Sequence, residues 1–141
     1  MNEATLRVRY AETDQMGVVH HANYITWLEI GRTDLLRQLG FSYVEMEADG
    51  MALPVVDVKC RYRLSAHYDD DVIIQTWLEY LRDSLMRFRY KLVRKNDGQL
   101  LAEAESTHIV VGRDMKRTPL TPKYLAPLRA AAENARAATK S

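Results

Sequence analysis

The spacing of apolar residues changes twice along this chain, from every second residue to helical spacing near Asn23 and back near Val55, and few folds accommodate that order. Residues 4–10, ATLRVRY, alternate Leu6, Val8 and Tyr10 with Arg7 and Arg9, as a half-buried strand does. From Asn23 onward Tyr24, Leu28, Gly31, Leu35 and Leu39 recur at three- and four-residue steps, the stripe of an amphipathic helix. Asn23 is the expected N-cap and Gly40 the expected stop. At about 1.5 Å per residue that helix is some 25 Å long. Gly31 lowers helix propensity, but without a side chain it lets the helix approach a partner closely, which suggests a helix laid on a sheet.

After a connector at residues 42–54, alternation returns and persists. In residues 55–64, Val56, Val58, Cys60, Tyr62 and Leu64 face one way and Asp57, Lys59, Arg61 and Arg63 the other. Strands are expected at 72–81, 85–93 and 100–111, joined through RDS and NDG, so these are antiparallel neighbours. The reading is an α+β domain in which a five-stranded antiparallel sheet, with its last four strands in meander order, curls around one helix. One domain over residues 1–141 is expected. Its Ala-rich tail from about residue 122 is peripheral, interrupted by Pro127 and frayed at its end.

Composition narrows the function classes. With 20 Lys and Arg against 19 Asp and Glu the formal net charge is +1, so no overall field gathers nucleic acid or an acidic membrane, and any anion site is local. No apolar run reaches membrane-spanning length and the N-terminus lacks an apolar signal core, so a cytoplasmic protein without membrane insertion is expected. The single cysteine, Cys60, lies within an alternating strand and reads as a small hydrophobe rather than a nucleophile.

Polar chemistry is concentrated at residues 9–29, RYAETDQMGVVHHANYITWLE. Asp14 and Gly17 are spaced as the ends of a type I turn. A turn alone does not call for His20 and His21 at a helix start, where unpaired N–H groups and the positive dipole end stabilise an anion or a developing oxyanion. A carboxylate beside such donors makes acyl transfer chemically accessible.

The stretch RVRYAETDQMGVVHHANYITWLEIGRTDLL resembles the signature of the 4-hydroxybenzoyl-CoA thioesterase family of hotdog-fold acyl-CoA thioesterases, especially its bacterial short-chain and Tol-Pal-associated members. The likeness runs to about Pro122 and centres on Asp14, Gly17, Val18, Val19, His21, Asn23 and Tyr24. It implies a sheet wrapped around a helix, a homodimer with a continuous ten-stranded sheet and active sites at its interface, and often a homotetramer. It implies an acyl-CoA substrate and no cofactor. Asp14 matches the catalytic carboxylate, either nucleophile or general base. His21 matches the residue whose backbone N–H faces the thioester carbonyl. Gly17 and Val18 would shape the loop around the substrate. Tyr24 also matches, though its place on the helix stripe favours packing, and His20 falls at a variable position.

Rival readings are explicit. Glu12, Asp14, His20 and His21 are all metal-ligand types, but no ligand spacing supports a metal site, and none is expected. Glu29 and Asp34 on the helix read as surface charges. Arg87 and Arg89, with Arg113, Lys116 and Arg117 as a second group, are candidates for the coenzyme A phosphates; alternatively the row Arg87, Arg89 and Lys91 pairs with Glu103 and Glu105 across the sheet. His67 reads as part of a solvated acidic turn. A non-catalytic acyl-CoA binding module and a hotdog hydratase or dehydratase are the alternative functions. The acyl group depends on how Tyr62, Trp77, Met86 and Phe88 pack.

Overall fold

The fold was analysed in a computed structural model that describes residues 1–140. In chain order the elements are β1 (Asn2–Arg7), a 3-10 turn (Tyr10–Glu12), α1 (Ala22–Gln38), α2 (Tyr43–Ala48), β2 (Val55–Tyr62), β3 (Asp71–Arg82), β4 (Leu85–Arg94), β5 (Leu100–Ile109) and α3 (Pro122–Lys140). The five strands form one antiparallel sheet in the order β1-β3-β4-β5-β2.

The expected period-two runs become strands, but the meander holds only for β3, β4 and β5. β3 has both neighbours taken, β1 on one side and β4 on the other, so β2 lies at the far edge beside β5. The connection from β2 to β3 therefore crosses the end of the sheet beneath the start of α1. There Ala66 N donates to Tyr24 Oη (2.9 Å) and Ala66 O accepts from Val19 N (2.8 Å). The crossover brings residues 64–68 against the Asp14 loop.

β1 also begins and ends earlier than its alternation suggests. Tyr10 enters the 3-10 turn and is exposed, while Val8 still pairs with the 69–70 segment. In the connector, α2 is an additional helix, capped by Ser42, whose Oγ accepts from Glu45 N (3.3 Å). The tail is neither peripheral nor broken. α3 continues through Pro127 and packs on β3, with Tyr124, Leu128 and Ala132 buried in the core. The lost hydrogen bond at Pro127 is outweighed by that apolar face and by Lys123, which pairs with Glu45 (2.7 Å) and Asp49 (3.1 Å) on the α2 side. The fraying expected at its last residue, Ser141, lies outside the described residues.

α1 sits in the curl of the sheet, burying Tyr24, Trp27, Leu28, Gly31, Leu35 and Leu36 against β1, β3 and β4. Its C-terminus closes as expected at Gly40 (φ +99°), with Gly40 N donating to Arg37 O and Phe41 N to Leu36 O. At Gly31 the approach is closest. A methyl group there would lie 2.4 Å from Thr76 Oγ1 and 2.7 Å from Ile74 Cγ2.

Beneath α1 runs a buried polar chain. His108 Nδ1 lies 3.0 Å from Leu53 O, which only accepts, so Nδ1 carries the proton and Nε2 accepts from Ser106 Oγ (2.8 Å). Ser106 Oγ then accepts from Tyr90 Oη (2.6 Å), which accepts from Arg32 Nη1 (3.2 Å). Burial, reinforced by the Arg32 cation, pulls the His108 pKa down to about 4, against an opposing hydrogen bond to Leu53. Burial likewise pushes the Tyr90 phenol up to about 12.

Gly31→Ala gains about 1 kcal/mol of helix propensity but overpacks a tight contact, at a cost of roughly 1–3 kcal/mol, so urea denaturation is expected to show net destabilisation. His108 is neutral when folded down to about pH 4, whereas the unfolded chain protonates it near pH 6.5. Stability therefore falls as pH drops through that window, by up to about 3 kcal/mol from this residue. Urea midpoints across the window are expected to fall less steeply for His108→Gln.

Candidate active site

The Asp14 loop is a closed turn rather than an open one. Gly17 N donates to Asp14 O (3.1 Å), Asp14 N to Val18 O (2.9 Å) and His20 N to Glu12 O (2.9 Å), while Thr13 bridges Val19. Asp14 Oδ1 accepts from Met16 N (2.8 Å) and more weakly from Val18 N (3.4 Å). Gly17 adopts φ +77°, a left-handed conformation that favours glycine, so the turn read from the spacing forms with the residue it requires. One carboxylate oxygen thus stabilises the turn. The other, Oδ2, has no partner among the described residues, and Asp14 is exposed.

Helix α1 starts two residues before the position that an Asn23 cap would give, with His21 as its N-cap, and Asn23 does not cap it. Asn23 lies inside the first turn, where its Nδ2 donates to Glu12 O (3.0 Å). His20 serves the helix start instead: its Nδ1 accepts from Ala22 N (3.2 Å) and its carbonyl from Asn23 N (3.0 Å). His21 is the N-cap residue, and its own N–H has no hydrogen-bond partner among the described residues. The imidazoles of His20 and His21 do not point apart but stack with centroids 4.5 Å apart.

Tyr24 is a core residue with a second task. Its ring packs on Trp27 and Tyr62, and its hydroxyl, pushed up in pKa mainly by burial, holds the 64–66 segment. Tyr62, at the end of the edge strand, donates to His21 O (3.2 Å) and meets the His21 ring edge-on. Together Val19, His21, Tyr24, Tyr62, Leu64 and Ser65 line a cavity of about 160 Å³ beside the loop. Val18 is half-buried and bridges His67, so the acidic turn is also a wall of this region.

Other candidates lie elsewhere. Arg87 and Arg89 project from the outer face of β4, Arg87 over the Tyr80 ring (5.6 Å) and Arg89 over Trp77 (4.1 Å) with Glu79 at 3.8 Å. No described contact joins them to the Asp14 loop. Arg89 and Lys91 oppose Glu105 and Glu103 in register, yet Glu103 pairs with Arg63 (2.9 Å). Arg113 donates to Ala48 O and Arg117 to Ser84 Oγ, so both brace the fold. Asp34 accepts from Asn2, and Glu29 is exposed. Met86 and Phe88 are core residues, Trp77 faces outward, and only Tyr62 of the four residues considered for acyl recognition adjoins the loop. Cys60 is half-buried, its thiol raised in pKa chiefly by burial, which keeps it protonated at neutral pH. No three His, Cys, Asp or Glu side chains among the described residues cluster as a metal site would require. No described helix is long and apolar enough to cross a membrane.

Sequence reasoning placed Glu12 only among metal-ligand types and Tyr62 only among residues shaping the acyl pocket, and missed the bonds by which Glu12 holds Trp27 and Tyr62 holds His21. Glu12 stands among polar residues that give no sign that it turns inward, and Tyr62, 41 positions from His21, meets it only in the folded structure.

A five-stranded antiparallel sheet wrapped around one long helix, with a polar loop at the helix start, is a hotdog fold. Residues 8–128 match the Thioesterase-like superfamily, and the chain belongs to it. YneP of Bacillus subtilis (strain 168), whose name assigns it provisionally to the acyl-CoA thioesterases, is 40% identical over 114 residues, 81% of this chain and 82% of YneP. The acyl-CoA thioester hydrolase YbgC of Escherichia coli O157:H7 is 36% identical over 100 residues, 71% of this chain and 74% of YbgC. Among solved structures, a DHNA-CoA thioesterase from Staphylococcus aureus superposes with a TM-score of 0.85 at 32% identity, covering 98% of this chain and 92% of that one.

Proposed function

We propose that the protein is an acyl-CoA thioesterase that hydrolyses an acyl-CoA thioester to the free acid and coenzyme A. Membership of the Thioesterase-like superfamily and the names of YneP and YbgC support the reaction class. The observation that carries the residue assignment is local: an exposed Asp14 carboxylate, with Oδ1 engaged by the turn, shares a short closed loop with the His21 N–H at the start of α1, and neither Oδ2 nor that N–H has a partner among the described residues.

In this reading the His21 N–H, aided by the helix dipole, stabilises the oxyanion that forms on the thioester carbonyl. Asp14 Oδ2 either takes a proton from an attacking water or attacks the carbonyl itself. In the first case hydroxide adds to carbon, the tetrahedral intermediate collapses, the C–S bond breaks and the coenzyme A thiolate leaves and is protonated. In the second an acyl–Asp14 anhydride forms as the thiolate leaves, and water then hydrolyses it. A thiolate leaves readily, so neither route requires a metal or cofactor from the residues present. Gly17 and Val18 shape the loop, and Tyr24 holds the cavity wall. The separation of Arg87 and Arg89 from the loop gives no support to their holding the coenzyme A phosphates.

The edge strand supports an assembly. Among the described residues β2 pairs on one side only, with Val55, Val56, Val58 and Tyr62 exposed along it and Leu64 exposed just beyond it. A second copy pairing β2 with β2 would cover this row and place a partner surface beside Tyr62 and His21, making a homodimer the minimal active unit.

Asp14→Asn keeps a carbonyl oxygen for Met16 N and Val18 N but loses the charge. Turnover, followed by thiol release from short, long and aromatic acyl-CoAs, is expected to fall at least about 100-fold with the fold intact. Undiminished release would remove Asp14 from the chemistry, and acyl-CoA binding without release by the wild type would favour a binding module. For the assembly, Val56→Lys is expected to shift the mass measured by light scattering from dimer to monomer and to lower activity; a wild-type mass would reject the β2 interface.

A further inference from the structure

Glu12 is a buried carboxylate two residues from Asp14, and its bonding is unlike that of a surface acid. Its side chain is 8% exposed, and both oxygens face N–H donors. Oε2 accepts from Trp27 Nε1 (2.8 Å), a buried residue of α1, and Oε1 accepts from Arg9 N (2.8 Å) with the Arg9 guanidinium at 3.6 Å. Its backbone carbonyl accepts from His20 N (2.9 Å) and Asn23 Nδ2 (3.0 Å), sealing the loop at its other end. One residue therefore ties the entry strand, the exit of the loop and the buried face of α1 together.

That arrangement costs desolvation of a carboxylate whose cationic neighbour, Arg9, is itself 77% exposed. A turn needs no such anchor, since its own backbone bonds already close it. What the anchor adds is a fixed relation between the loop and the helix. The Asp14 turn is closed by its own backbone bonds, whereas the Glu12 side chain ties the residue two before Asp14 to Trp27 of α1, the helix that His21 starts.

We propose that Glu12 is a positioning residue for the hydrolysis, holding the Asp14 carboxylate in register with the His21 N–H through its bonds to Trp27 and Arg9. The proposal rests on the Asp14 reading above. A carboxylate is required because both oxygens meet donors; a glutamine offers an acceptor to one and an N–H to the other. A displacement of about 1 Å between reacting groups lowers turnover by on the order of 100-fold, so the effect belongs in kcat rather than KM.

The test is a kinetic cycle on the full-length protein with its best acyl-CoA from the panel, every rate normalised to folded protein. Glu12→Ala is expected to lower kcat roughly 10- to 100-fold with KM within about twofold. Glu12→Gln, which preserves volume and one of the two acceptors, is expected to fall between that variant and the wild type. In an Asp14→Asn background Glu12→Ala is expected to change the residual rate less than about twofold, because its effect passes through Asp14. A merely structural role predicts wild-type kcat in the folded fraction, and that result overturns the proposal, as does a Glu12→Ala loss that is undiminished in the Asp14→Asn background. If Glu12→Ala does not fold, wild-type kcat in Glu12→Gln has the same force. Should Asp14→Asn itself turn over like the wild type, the Asp14 assignment fails first and this proposal with it, an outcome separate from wild-type kcat in the Glu12 variants alone.

Discussion

The seat of α1 on the sheet governs the rest of this molecule. At Gly31 the helix backbone comes so close to Thr76 and Ile74 that even a methyl group would force their side chains to shift, and this contact limits how deeply the helix sinks into the curl. Depth at Gly31 determines which residues along α1 are enclosed: Leu28 and Leu36 are fully buried, and Trp27 and Tyr24 follow toward the N-terminus. The Asp14 loop is attached to that end through Trp27 and Asn23. Close packing at the centre of the helix thus fixes where the polar loop stands.

Polar groups beneath the helix give that packing a unique orientation. Apolar contacts alone tolerate sliding, whereas a chain of hydrogen bonds from Arg32 through Tyr90 and Ser106 to His108 has one direction and one tautomer. It joins α1 to β4, β5 and the segment before β2. A guanidinium without a carboxylate partner is tolerated because Tyr90 accepts from it, although its Nε, like Thr76 Oγ1, has no partner among the described residues. The network is wholly enclosed, so its Ser106–His108 contact is architecture and not an exposed nucleophile.

Around the loop the crossover from β2 to β3 has the largest consequence. Because it passes the end of the sheet, Tyr24 can hold Ala66, Val18 can bridge His67, and Tyr62 can reach the His21 carbonyl. The same topology leaves β2 as a one-sided edge with its valines exposed. The small cavity and the unpaired edge therefore arise from one feature of connectivity.

Much of this was legible in residue order because it depends on local periodicity. The strands, the long helix and its glycine stop follow from alternation at two and at three to four residues, and the turn at Asp14 and Gly17 follows from side-chain and backbone needs within four positions. The S-x-x-E start of α2 at Ser42 is a local signal too, although residues 42–54 were read as a connector. What tertiary structure decided concerns partners far apart in sequence. Alternation marks a strand but not its neighbour, so β2 could be assigned an edge only once β1 and β4 had occupied both sides of β3. A tail interrupted by proline becomes a packed helix only when a sheet is there to receive Tyr124 and Leu128. Glu12, written among polar residues, is turned inward by the indole of Trp27 fifteen positions away, because a buried carboxylate is tolerable only where distant donors converge on it.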